Sequence, residues 1–293
     1  MISWILNLLI LSLIYSIVAM SMNTLLSQIG VFSMAYGALL GVASYTTALC
    51  LLSGLPYSLS ILLAIIFSGI FGVIIIFTSF RFRSDYFIAV TLALQWIMSD
   101  IFVNANITGG SAGLYGIPLP SLFGVKINSP WAFLILSIIF FVISLYISIR
   151  IKKSNFGLVL RAIRDDEVAT FSVGRNVYSF KSKVIIISSM LVGLAGAIYS
   201  TYFGVIEPQA FNLDASIFIA VIVIVGGLNN FVGNTIAAII LLSFPQLLMY
   251  FKVPSTIQGP LYELLYGFLL MVVVIIQVIK SPIKKLEIDN VKS

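Results

Sequence analysis

Apolar runs of about 20 residues, the length a helix needs to cross a bilayer's hydrocarbon core, recur along the whole chain. They are Ile2–Met20, Val31–Leu52, Leu59–Phe77, Tyr86–Val103, Trp131–Ile149, Val184–Phe203, Val232–Tyr250 and Leu261–Ile279, with a shorter apolar run at Ala215–Val225. The breaks between them carry turn residues or charge: Asn23, Ser27, Gln28 and Gly30; Gly54–Pro56; Arg81 and Arg83; the Gly/Pro-rich Asn104–Asn128; a long charged stretch at about 150–183; and Gly226–Asn230. This pattern predicts an all-α, polytopic integral membrane bundle of about nine helices, within a range of eight to ten. Residues 1–293 read as one membrane domain. The stretch 23–52 leaves a second option open, a broken or re-entrant helix. No internal repetition is visible.

Charge gives the bundle a direction. Between Arg150 and Lys183 stand eight basic residues (Arg150, Lys152, Lys153, Arg161, Arg164, Arg175, Lys181, Lys183) against Asp165, Asp166 and Glu167. That balance of +5 is nearly all of the chain's net +6. A central Arg or Lys costs roughly 3 kcal/mol to insert, and basic loops stay inside. The loop, the Arg81–Arg83 break and the tail lysines Lys280, Lys284 and Lys285 are therefore expected in the cytoplasm, with the N-terminus outside and the C-terminus inside. Charge placed this way reports topology rather than nucleic-acid binding. The first run lacks a basic start and a clear cleavage site, so it is expected to stay as a span.

Composition removes several chemistries. Charged residues are 9% of the chain and hydrophobic residues 60%, against about 25% charged in soluble domains. Histidine is absent and Cys50 is the single cysteine, which excludes His-based triads and relays and an intrachain disulfide. Asp85, Asp100, Glu207, Asp214 and Glu263 all fall near span ends, leaving no carboxylate series for an ion-coupled pump. No GxxxxGK[ST] nucleotide motif occurs, and Gly226-Gly227-Leu228-Asn229-Asn230 reads as a turn rather than a phosphate cradle.

The charged loop has its own helical signals. Ser154 and Asn155 can cap a short helix running to about Arg164, and Asp165 and Asp166 stand where a second would begin. Gly174 falls where that helix should stop. Two short helices beneath a membrane domain suggest a docking surface; a plain linker is the alternative.

The run FGLVLRAIRDDEVATFSVGRNV resembles the cytoplasmic coupling loop of LivM/LivH-type permease subunits of branched-chain amino acid ABC importers. Likeness continues, in order, through Ser27–Tyr45, Asp85–Leu94, Thr108–Pro118, Gly193–Phe211 and Ser216–Gly233. In that pattern a Gly usually stands where this chain has Asn229, a residue that also tolerates a left-handed turn. The resemblance implies an importer subunit for small amino acids. Its partners would be a second permease subunit, two cytoplasmic ATP-binding subunits and an extracytoplasmic solute-binding protein, in a cell membrane. ATP and Mg would bind those ATPases, no cofactor this chain. ATPase-coupling candidates are Gly157, Arg161, Ala162, Arg164, Asp165, Glu167, Ala169 and Gly174. The resemblance also makes Gly37, Gly41, Ser44, Gly193, Gly196, Gly226 and Gly227 translocation-path candidates; close helix packing is the alternative reading of these small-residue faces. The competing readings are an ion-coupled secondary transporter and an intramembrane enzyme.

Overall fold

The computed structural model describes residues 2–81, 84–122, 125–250 and scattered positions between 261 and 275. Its helices are α1 (Ile2–Ile29), α2 (Tyr36–Leu52), α3 (Tyr57–Arg81), α4 (Ser84–Asn104), α5 (Pro130–Lys153), α6 (Asn155–Asp165), α7 (Glu167–Ser172), α8 (Val177–Phe203), α9 (Leu213–Gly226) and α10 (Phe231–Tyr250). Described positions from 261 to 275 are also helical. Five stretches are long and apolar enough to cross a membrane: Trp4–Ile29, Tyr57–Phe77, Tyr86–Asn104, Pro130–Lys153 and Val177–Phe203. Arg83, Glu263, the break after Tyr250 and Lys280, Lys284 and Lys285 lie outside the described residues, as do the side chains of Arg81 and Asp85.

Cross-helix contacts fix the running directions. Tyr202, near the end of α8, donates to Asn7 at the start of α1 (2.8 Å), while Ser21 of α1 donates to the Ser188 carbonyl. Those two helices are therefore antiparallel. In α3, Ile65 meets Gly193 and Gly72 meets Ser189, so α3 also opposes α8. Beside α2, α4 runs parallel, with Thr91 accepting from the Met34 N–H (3.0 Å) and Phe102 stacked on Tyr45 (4.8 Å). Direction alternates through the bundle, with α6 and α7 at one end, called here the loop end. At the opposite end Leu114 and Ile206 exchange backbone hydrogen bonds, and Ser121–Leu122 pairs with Val125–Lys126.

Two elements depart from the expected spans. The first helix does not stop at Met20: it runs through Asn23, Ser27 and Gln28 to Ile29. Those polar side chains were expected to break it, but tertiary partners satisfy them. Asn23 donates to Gly227 O and accepts from Asn229 N, and Gln28 accepts from Arg161. The break comes instead at Gly30, left-handed at φ 70°, and 31–35 are non-helical before α2 begins at Tyr36. Helix α9 has only 14 residues, about 21 Å at 1.5 Å per residue, short of a hydrocarbon core of about 30 Å.

These departures share one design. A long helix (α1 or α8) ends on a left-handed glycine, Gly30 or Gly204, and irregular backbone then feeds a short helix, α2 or α9. Because α1 and α8 are antiparallel, the units form an inverted pair whose short helices begin against each other in the interior. Gly37 N donates to Ser216 Oγ there (2.8 Å). The pattern demands only a glycine and apolar flanks, which is why the repeat escapes the eye.

In lipid, helix association rests on close packing rather than on hydrophobic drive. At Gly196 of α8 an added Cβ would overlap Ala43 Cβ and lie 2.8 Å from Ser44 N; at Gly193 it would lie 2.7 Å from Ile65 Cα. Gly196→Val therefore forces α2 and α8 apart. Overpacking typically costs about 1–3 kcal/mol, so thermal unfolding in detergent should fall by several degrees. An unchanged midpoint would show that the α2–α8 contact is not tight. Outward surfaces of α3 and α5 carry large exposed apolar residues, among them Phe67, Ile70, Phe77, Ile135, Val142 and Tyr146, suited to lipid.

Candidate coupling surface and interior junction

The loop end is built by successive caps. Ser154 closes α5 and accepts from Gly157 N (3.2 Å) to open α6. A side chain at Gly157 would strike the Ile151 carbonyl, so glycine lets α6 fold back on α5. Helix α6 is strongly two-faced: Gly157, Leu160 and Ile163 are buried, while Leu158 and Ala162 are exposed. Asp166 accepts from Ala169 N (2.9 Å) and opens α7. Gly174, at φ 82° with open space where a Cβ would stand, ends the turn after α7, and Asn176 caps α8.

Two expectations are corrected here. Asp165 does not begin the second helix; it ends α6 and pairs with Arg164 at 3.2 Å. That pair is exposed and contributes little. Glu167 binds Lys181 at 2.6 Å. Lys181 lies inside α8, which starts at Val177 rather than near Val184. The pair ties α7 to α8.

The outer face of α7 is left apolar, with Val168, Phe171 and Val173 at 75%, 61% and 81% exposure. Beside them α6 and α7 enclose a shallow groove of about 390 Å³, lined by Leu158, Ala162, Ala169 and Val173 with Arg175 at its edge. Arg161 points the other way, into the bundle, and Arg164 divides its guanidinium between the Ser27 carbonyl and the exposed Asp165 carboxylate. Of the eight coupling candidates, Ala162 and Ala169 line the groove, Gly157 and Gly174 shape it, and Asp165 lies on its rim.

The interior junction is held by Gln95 of α4, fully buried. Its Oε1 accepts from Ala38 N (2.7 Å) and Ser216 Oγ (2.9 Å), and its Nε2 donates to Phe211 O (2.7 Å). One amide thereby satisfies the first turn of α2 and the irregular backbone before α9, groups that lipid would leave unpaired. Gly37 sits in this junction, and Gly41 packs on Phe102 and Phe211. Ser44 returns its hydroxyl to Leu40 O (2.8 Å). Gly193 and Gly196 seat α8 on α3 and α2; Gly226 packs on Asn234, and Gly227 (φ 88°) with Asn229 (φ 64°) makes the turn into α10. Six of the seven path candidates are thus buried against neighbouring helices in this conformation, and Gly227 is a half-buried turn position. Gln95 and Ser216 escaped the sequence reading, and Asn23 and Lys152 were read only as a break and a loop charge; the signal for Gln95 was a lone amide in the apolar run 86–103.

A bundle of alternating apolar helices with interrupted elements at its centre is the architecture of a polytopic membrane permease. The chain belongs to the permease components of branched-chain amino acid transport systems, whose family model matches residues 4–274. It is 28% identical over 266 residues to the high-affinity branched-chain amino acid transport system permease protein LivM of Salmonella typhimurium, covering 82% of this chain and 63% of that protein. LivM of Escherichia coli is 28% identical over 267 residues, covering 83% and 63%. A probable LivM of Methanocaldococcus jannaschii is 30% identical over 199 residues, covering 66% and 56%. The chain therefore spans less than two thirds of the length of these relatives. No solved structure matches it.

Proposed function

We propose that this chain is a membrane subunit of an ATP-driven importer that passes branched-chain or similar small amino acids across a cell membrane. The observation that carries the reading is the loop end: α7 turns an apolar face and a small-residue groove outward, while α6 is bonded inward to the bundle. Such a surface suits a cleft on a cytoplasmic ATPase. Two ATP-binding subunits carrying ATP and Mg, a second permease and an external solute-binding protein complete the assembly. About nine spans, with the N-terminus outside and the loop end in the cytoplasm, agree with the alternating directions and the basic loop. Transport is alternating access, biased by how differently the ATPases dock on two conformations.

Topology is read by placing a cysteine at exposed Arg175 in a Cys50→Ser background. An impermeant thiol reagent should leave it unlabelled in intact cells and label it after lysis; labelling from outside would invert the orientation. Energy coupling is read in liposomes holding the assembled transporter. Leucine uptake should persist when ion gradients are collapsed and ATP is maintained. Uptake that follows the gradient instead would place the chain among secondary transporters.

A further inference from the structure

Three cations of the loop end grip the places where the backbone leaves helical geometry. Arg164 Nη1 donates to Ser27 O (2.7 Å), one of the last carbonyls of α1, which the helix itself cannot pair. Its methylenes close over Gly30, where an added Cβ would lie 2.9 Å from Arg164 Cγ. Arg161 Nη1 donates to Gln28 Oε1 (3.2 Å) and to Lys152 O at the end of α5 (2.8 Å). Lys152 Nζ in turn donates to the carbonyl of left-handed Asn229 (2.8 Å) and sits 5.9 Å from the Phe231 ring centre. Asn23 of α1 closes the circuit, donating to Gly227 O (3.1 Å) and accepting from Asn229 N (2.9 Å).

The circuit therefore links α6, the end of α1 before Gly30, the end of α5 and the turn between α9 and α10. Gly30 leads into α2, and Gly227 follows α9, so both interrupted helices are reached from one helix of the loop. Cations that served only as inside-positive anchors would turn to solvent and lipid headgroups, as exposed Arg150 does. Arg161 and Lys152 instead spend donors on backbone and amide oxygens, and Arg164 divides its own between the Ser27 carbonyl and the exposed Asp165 carboxylate. Charge-assisted bonds of this kind are roughly twice as strong as neutral ones.

We propose that Arg161, Arg164 and Lys152 are positioning residues that make α6, the end of α1 and the α9–α10 turn move as one body, delivering loop displacement to the hinges at Gly30 and Gly227. The role is distinct from holding an ATPase, because the bonds these groups make to Ser27, Gln28, Lys152 and Asn229 reach into the bundle rather than across the groove. It rests on the importer reading above. Docking biases a conformational equilibrium only through contacts that differ between its states, and without the clamp the loop moves while the interrupted helices stay in place.

The test uses the full chain in the assembled transporter, reconstituted in liposomes with leucine as the probe. ATPase bound, ATP hydrolysed and leucine taken up are measured together. The double variant Arg161→Gln with Arg164→Gln is expected to bind and hydrolyse as wild type while uptake per ATP falls about tenfold, a loss of ~1.4 kcal/mol of coupling. Arg164→Lys, which keeps one donor for Ser27 O, should lose less, and Arg150→Gln should lose nothing. A second construction replaces Gln28 and Arg161 with cysteine in the Cys50→Ser background and bridges them with a bifunctional thiol reagent. Coupling should be low with free thiols and return on bridging, which also decides the matter where the double variant fails to reach the membrane. Wild-type uptake per ATP in the double variant, a loss that merely tracks reduced ATPase binding, or arrest of uptake on bridging would each overturn the clamp. A wild type without ATP-driven uptake would overturn the importer reading and the clamp with it, whereas wild-type coupling beside unaltered variants overturns the clamp alone.

Discussion

Gln95→Leu is expected to destabilise the bundle severely and abolish uptake. Leucine is close to glutamine in volume, so the change leaves no large cavity. It removes an acceptor serving Ala38 N and Ser216 Oγ and the donor to Phe211 O. Each buried group left unpaired costs about 1–3 kcal/mol. Ser216 Oγ keeps the Gly37 N–H, so the hydroxyl is not wholly abandoned, but Ala38 N and Phe211 O are. The starts of α2 and α9 should separate. Gln95→Glu retains the accepting oxygen and should lose less than leucine. Unfolding in detergent, followed with leucine uptake in liposomes, checks both. A leucine variant that unfolds and transports as wild type would mean that the two short helices do not depend on α4.

The sequence carried the apolar runs and the loop signals because both are local. Ser154, Asp166 and Gly174 act within a few residues of themselves, and each stands in the structure as a cap or a stop. Asn229 likewise adopts the left-handed conformation a turn there requires. What was not legible depends on partners far along the chain. Asn23 breaks an apolar run on paper, yet stays helical because residues more than 200 positions away supply its hydrogen bonds. Arg161 and Arg164 read as loop charges, and nothing nearby in sequence reveals that Ser27 and Gln28 draw them inward. The same holds for Gly193 and Gly196: small-residue faces announce close approach, but only the fold names the neighbour, and here that neighbour is another helix.

Ala169→Arg separates docking from folding. Ala169 is exposed on α7 and lines the groove with Leu158 and Ala162. Its backbone N–H is already held by Asp166 at 2.9 Å, and arginine is a good helix former, so α7 should persist. The variant should reach the membrane in normal amount. A bulky side chain in a groove that an ATPase is to fill holds the surfaces apart, whether or not its charge pairs with Asp165 and Asp166 in the same groove. Overpacking of this kind typically costs about 1–3 kcal/mol, and 1.4 kcal/mol is a factor of ten in affinity. ATPase co-purified at equal membrane abundance should therefore fall about tenfold, with uptake falling alongside. Ala169→Ser, small and uncharged, should bind nearly as wild type, which separates bulk and charge from loss of the alanine itself. This signature is opposite to that of the arginine clamp, where binding and hydrolysis survive and only uptake per ATP is lost. Unchanged association and unchanged uptake in Ala169→Arg would make α6 and α7 a linker and remove the docking assignment.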